Sequence, residues 1–189
     1  MNSPHFQRYD AVSRAFHWLS AVVVTIAFVL GPGGFGRLMR NGVDPATHSD
    51  IVWHETLGVL IFALTLLRLI WVAFRPAAPE VAMAAWMKWS SKLAHLALWA
   101  LMLALPATAM LALGSEGHPL TLLGGFRLDH LPMIADSAVA DLADWGDVHG
   151  FLGDAIMVLA GLHAAGALFH HFVLKDRVLL SMLPSRHAR

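Results

Sequence analysis

Residues 147–175, DVHGFLGDAIMVLAGLHAAGALFHHFVLK, decide how the rest of the chain is read. The stretch is apolar over more than the roughly 20 residues that cross a hydrocarbon core about 30 Å thick. Two histidines lie inside it, His149 and His163, 14 residues apart. At 3.6 residues per turn that spacing falls about 40° short of four turns, so both imidazoles leave one helix face about 21 Å apart along the axis. One then sits toward each side of a bilayer. Imidazole is costly to bury in lipid and marks function when it is there. Gly150, Gly153, Gly161, Ala164, Ala165 and Gly166 surround the pair with small side chains and leave room for something large and flat. The expectation is two stacked metal centres inside a helical bundle.

Composition agrees with a membrane setting. Of 189 residues, 57% are hydrophobic and only 14% charged, with a mean hydropathy of +0.60, which is too apolar for an ordinary soluble domain. The formal net charge of zero carries no nucleic-acid footprint. There is no cysteine, which excludes disulfides, iron–sulfur clusters, thiolate-ligated haem and covalent haem attachment. Twelve histidines stand against one tyrosine, so a metal or haem would rest on nitrogen ligands.

Working back along the chain, four apolar stretches predict helices at about 15–30 (with a start as early as Asp10 open), 51–74, 91–113 and 148–174. Gly31-Pro32-Gly33-Gly34 closes the first, Arg75-Pro76 and Pro79 the second, and Pro106 predicts a kink in the third. The first run ends in GPGGFGR without an A-x-A-like cleavage pattern, and reads as a retained helix rather than a signal peptide. Trp86 and Trp89 are expected in the connector 75–90, at headgroup level. The fold class is therefore all-α, a single four-helix transmembrane bundle over residues 1–189 with a short amphipathic tail. Ten basic residues flank the termini and the second connector: Arg8, Arg14, Arg68, Arg75, Lys88, Lys92, Lys175, Arg177, Arg186 and Arg189. Only Arg37, Arg40 and Arg127 lie in the other two loops, so the positive-inside rule predicts cytoplasmic N- and C-termini.

That orientation sorts the histidines by depth. His17 and His163 fall in the cytoplasmic half, His54 and His149 in the outer half. Each pair is expected to clamp one iron from opposite sides, giving two bis-imidazole b-type haems held without covalent bonds. Arg68 lies 14 residues after His54, on the same face but about four turns deeper. It is expected either to pair with an inward haem propionate or to snorkel to the headgroups. His95 has two readings, as a hydrogen-bond partner of a propionate or quinone and as an interfacial structural residue. His170, His171 and Lys175 close the fourth helix, where basic side chains complement its dipole. Their functional reading is a quinone pocket with a proton-exchanging histidine. Glu55 and Asp154 are candidates to orient an outer imidazole, and His5, His48, His118, His130 and His187 are expected to be solvated.

Four segments carry a family resemblance over nearly the whole chain: RAFHW around His17, VWHETLG around His54, KLAHLALWALMLALP through the third helix, and GLHAAGALFHHFVLKDRVLLSMLP at the end. In these the chain resembles the bacterial cytochrome b561 proteins of the prokaryotic dihaem type. The resemblance implies four spans in the bacterial inner membrane, two b haems on His17, His54, His149 and His163, and electron transfer with ubiquinone. One branch of that family oxidises superoxide to oxygen and passes the electron to ubiquinone. Arg37 and Arg40 are candidates for a local basic entrance for that anion. Two other functions remain open. Residues 114–147 hold Glu116, Asp129, Asp136, Asp141, Asp144 and Asp147 against only Arg127, a docking face suited to a dehydrogenase, hydrogenase or periplasmic redox protein. A histidine-lined metal transporter is the other.

Overall fold

The computed structural model describes residues 8–31, 33, 38, 41–75, 83–129 and 132–184, with the side chain of Pro132 excepted. Four long helices organise it: α1 (Ala11–Leu30), α2 (Ser49–Phe74), α3 (Ala85–Ser115) and α4 (Trp145–Phe172). Each is long and apolar enough to cross a membrane. Pro32, Gly34, Pro76, Pro79, Arg37, Arg40, His5, His130, Arg186, His187 and Arg189 lie outside the described residues.

The helix starts follow local chemistry. Asp10 caps α1 by accepting from the Ser13 amide at 2.8 Å and the Ser13 hydroxyl at 2.6 Å. That settles the start at Ala11, the earlier of the two expected limits. Asp144 caps α4 through the Asp147 amide at 2.9 Å, so α4 begins three residues before the expected Val148. α3 is longer than expected at both ends. Residues 85–90 hold neither proline nor glycine, so Trp86 and Trp89 belong to its first turns and not to a connector. Pro106 sits inside this one continuous helix.

Helices consecutive in sequence pair, α3 with α4 across the long segment between Ser115 and Trp145. α1 packs along α2 and α3 along α4; α2 and α3 meet over a shorter length, and α1 barely touches α4. The core between α1 and α2 is Val23, Ala27, Leu57 and Leu64, with Phe16, Leu30 and Ile61 at its edge. Only 6% of the most apolar window of α4 is buried, against 22% for α1. The two helix pairs meet mainly through α2 and α3, with little contact between α1 and α4.

Short elements lie at both ends of the bundle, among them a hairpin and a short helix. Leu120–Thr121 (β1) pairs antiparallel with Arg127–Leu128 (β2), in the register Leu120 opposite Leu128 and Thr121 opposite Arg127. The turn between them needs positive φ at Gly124 (82°) and Gly125 (80°), which glycine adopts without strain. At the other end of the bundle Val178–Met182 forms a short helix, α5. Its last carbonyls receive hydrogen bonds from the start of α1: Ser181 from the Tyr9 amide, Met182 from Trp18 Nε1, and Leu183 from Arg14.

Candidate functional site

The pair expected in the outer half is His54 on α2 and His149 on α4. Their ring centroids are 6.0 Å apart with the planes at 89°. Each ring is held by a backbone carbonyl: His54 Nδ1 donates to Ala27 O at 2.8 Å, and His149 Nδ1 donates to Leu105 O at 3.0 Å. A carbonyl only accepts, so the proton must sit on Nδ1 and the Nε2 lone pair is left open. That is the tautomer a metal-binding imidazole needs. Gly31 adds a close backbone approach, since a Cβ there would meet the His54 ring at 3.5 Å. The carboxylates expected to orient these rings do not do so. Glu55 Oε2 instead accepts from the Thr121 amide at 2.5 Å. Asp154 has an exposed place on α4.

At the opposite end of the bundle, His17 on α1 faces His163 on α4 with centroids 6.2 Å apart and planes at 69°. His95 on α3 lies edge-on to His163 at 5.0 Å, and its Nδ1 donates to Ser91 O at 2.7 Å. The Arg68 guanidinium stacks 4.8 Å over the Trp99 ring. Its charge is within electrostatic reach of all three imidazoles. The depth argument thus brings together the four histidines it selected, and adds His95 to the inner group.

The pairs fit a haem on three counts. Two imidazole–metal bonds of about 2 Å, with about 1.1 Å from nitrogen to each ring centre, hold centroids about 6.3 Å apart. The observed 6.0 and 6.2 Å lie at that separation. Among the described residues no group of three or more His, Cys, Asp or Glu is placed to hold a metal ion, so an ion between the rings would need its remaining ligands from elsewhere. A tetrapyrrole brings four of its own. Gly58 and Gly153 each follow an outer histidine by four residues, on the same helix face, and Gly166 follows His163 by three. A Cβ at any of these three would meet nothing within 4 Å, which leaves open space beside the imidazoles.

The remaining candidates stand apart from the rings. His170 pairs with Asp176 at 2.5 Å, while His171 packs on Phe172 at 4.8 Å with its Nδ1 buried and unbonded. Lys175 takes a left-handed φ of 53° where the chain leaves α4. His48 precedes α2, 3.8 Å from Asp50. His118 lies 3.1 Å from Glu116, and burial holds its pKa below the usual histidine range despite that neighbour. Sequence reasoning missed the tie from Glu55 and Thr56 to the hairpin, where the Thr56 hydroxyl accepts from the Leu123 amide at 3.0 Å. The adjacent polar pair in VWHETLG was its signal.

Four helices long and apolar enough to cross a membrane, with imidazoles facing each other at two levels, place the chain among multi-pass membrane proteins. The family follows from comparison: the model of prokaryotic cytochrome b561 matches residues 8–185, and the chain belongs to that family. It is 33% identical over 184 residues to cytochrome b561 homolog 2 of Escherichia coli K12, covering 96% of this chain and 93% of that one. Cytochrome b562 of Cereibacter sphaeroides is 31% identical over 185 residues, with 94% and 96% covered. The protein named "Probable superoxide oxidase CybB" of Yersinia pestis is 29% identical over 188 residues, with 95% and 98% covered. Membership makes the chain a membrane electron-transfer protein and implies b-type haem.

Proposed function

We propose that this chain is a dihaem b-type cytochrome of the bacterial inner membrane that carries electrons to ubiquinone and takes them from superoxide. The observation that carries the reading is the pair of facing imidazoles repeated at two depths. His54 and His149 would hold the outer haem, His17 and His163 the inner one. When bound, haem iron supplies a one-electron carrier at each depth. The protein's part is to fix the imidazole tautomers through Ala27 O and Leu105 O and to exclude water with apolar helices. Arg68 places a cation beside the inner pair, where it would compensate a haem propionate. His95, His170, His171 and Lys175 line the end at which a quinone would collect its protons. That end is cytoplasmic by the distribution of Lys and Arg. Each superoxide gives up one electron and leaves as dioxygen; two such electrons and two protons convert ubiquinone to ubiquinol. The choice of superoxide draws on the name of the Yersinia pestis relative.

A second reading, an electron-relay subunit fed by a protein donor of the dehydrogenase or hydrogenase type, has its own observation. Asp44, Glu116, Asp129, Asp136, Asp141, Asp144 and Asp147 are exposed on the outer side. Arg127, the basic residue described there, is already neutralised by Asp44 and Asp129. Such a surface repels a small anion and attracts a basic protein. The deciding experiment uses purified protein in detergent. Absorbance is expected to give two low-spin b-type haems per chain, and pulse-generated superoxide to reduce them. Haems that stay oxidised under superoxide, yet are reduced by a basic redox protein in a salt-sensitive way, would establish the relay instead. A colourless preparation would remove both readings.

A further inference from the structure

Between the start of α1 and α5 lies an open surface groove that none of the proposed haem ligands lines. Ala11, Arg14, Ala15, Trp18, Leu183 and Pro184 line a hollow of about 620 Å³. A second hollow of about 280 Å³, bounded by Trp18, Ala21, Val22, Thr25 and Ile26, continues from it, with Trp18 common to both. Positions 11, 15, 18, 22 and 25 recur at three- and four-residue steps, so one trench runs along a single face of α1. His17 lies about 100° around the helix from Trp18, and the two rings meet edge to face with centroids 5.2 Å apart. Small side chains at Ala11, Ala15 and Ala21 make the depth.

The mouth of this trench is cationic. Arg14 gives one guanidinium nitrogen to Leu183 O at 2.7 Å, and its Nε is buried without a partner. Arg8 reaches the same carbonyl at 3.5 Å. Trp18 Nε1 donates to Met182 O at 2.9 Å, which fixes the indole where the two hollows meet. A cation at the end of an apolar channel about 12 Å long (Trp18 to Ile26) is complementary to an amphiphile with an anionic head and a hydrocarbon tail. A quinone also has a long tail, but its neutral head makes no use of the guanidinium. From this geometry we infer that the groove between the start of α1 and α5 is a specific site for an anionic phospholipid, with the phosphate at Arg14 and one acyl chain along Trp18–Ile26. None of the proposed haem ligands lines the site, although its Trp18 packs on the His17 ring; lipid retention is read by mass and haem by absorbance, so the two proposals fail separately.

Native mass spectrometry of the haem-loaded protein, titrated with phosphatidylglycerol or phosphatidylcholine, tests it. One phosphatidylglycerol is expected to be retained selectively, and Arg14→Gln to weaken that selectivity by roughly fivefold, the value of one basic group at a membrane surface. Ala15→Trp, which fills the hollow and leaves every charge in place, is expected to expel the same lipid. Unchanged Soret absorbance per chain certifies both variants as folded. Equal retention of the two lipids by the wild type would overturn the inference. So would retention of phosphatidylglycerol unaltered by both substitutions, or its displacement by stoichiometric ubiquinone.

Discussion

Two backbone carbonyls perform the orienting task that the sequence suggested for Glu55 and Asp154. Ala27 O and Leu105 O hold the Nδ1 protons of His54 and His149. Carbonyl acceptors have no letter in a sequence, which is why the ligand candidates were legible and their supports were not. The 14-residue spacing of His149 and His163 and the depths of His17 and His54 were enough to pair them, because a straight helix converts residue number into angle and height. His95 was harder to place, since its 5.0 Å approach to His163 depends on how α3 packs against α4. These assignments predict distinct spectra for single variants. His149→Ala should lose the outer haem and His163→Ala the inner, each roughly halving Soret absorbance per chain. His95→Ala should retain both, because His95 meets His163 edge-on at 5.0 Å, closer than two imidazoles that share one iron. Loss of the inner haem in His95→Ala with retention in His163→Ala would exchange the two roles.

Among the elements, the spans were readable because each needs many consecutive apolar residues. The β1–β2 hairpin was not: two residues per strand give no alternation to detect. Its position is instead fixed by contacts distant in sequence. Glu55 and Thr56 bind the Thr121 and Leu123 amides, and Arg127 reaches Asp44 at 2.6 Å in the loop before α2. That hydrogen bond to Arg127 is the main cause holding the Asp44 carboxyl below its ordinary value of 3.8. Because the folded-state pKa is the lower one, the contribution of Asp44 is fully present above pH 3.8. It is lost as pH falls through the depressed value. Hydrogen-exchange protection at Thr121 and Leu123 is therefore expected to hold at neutral pH and fall in that acidic window. Arg127→Ala should show reduced protection already at neutral pH, because the tie is then missing at every pH. Protection in Arg127→Ala equal to wild type across the range would mean that Glu55 and Thr56 hold the hairpin without help.

At the scale of the whole molecule, the bundle consists of two helix pairs that meet mainly through α2 and α3. α1 and α2 share a core of Val23, Ala27, Leu57 and Leu64, whereas α1 scarcely meets α4, although His17 and His163 face each other across that gap. The membrane setting explains why this is tolerable: lipid tails solvate the outward apolar faces, and no hydrophobic force drives the pairs together. Whatever bridges facing imidazoles then supplies much of the attachment between the pairs, and binding only the folded state stabilises it by about 4 kcal/mol at a thousandfold excess over Kd. Removal of haem should accordingly separate the pairs before it unravels them. The absence of native cysteine makes the test direct. Spin labels on cysteines introduced at Val22 and Leu162 report the α1–α4 distance, and labels at Val22 and Leu67 report α1–α2. Haem extraction is expected to broaden the first distribution, leave the second nearly unchanged, and lower the thermal midpoint. If both distributions stay narrow and the midpoint is unaltered, the pairs are joined by contacts of α2 with α3 alone, and the imidazoles contribute nothing to holding the bundle together.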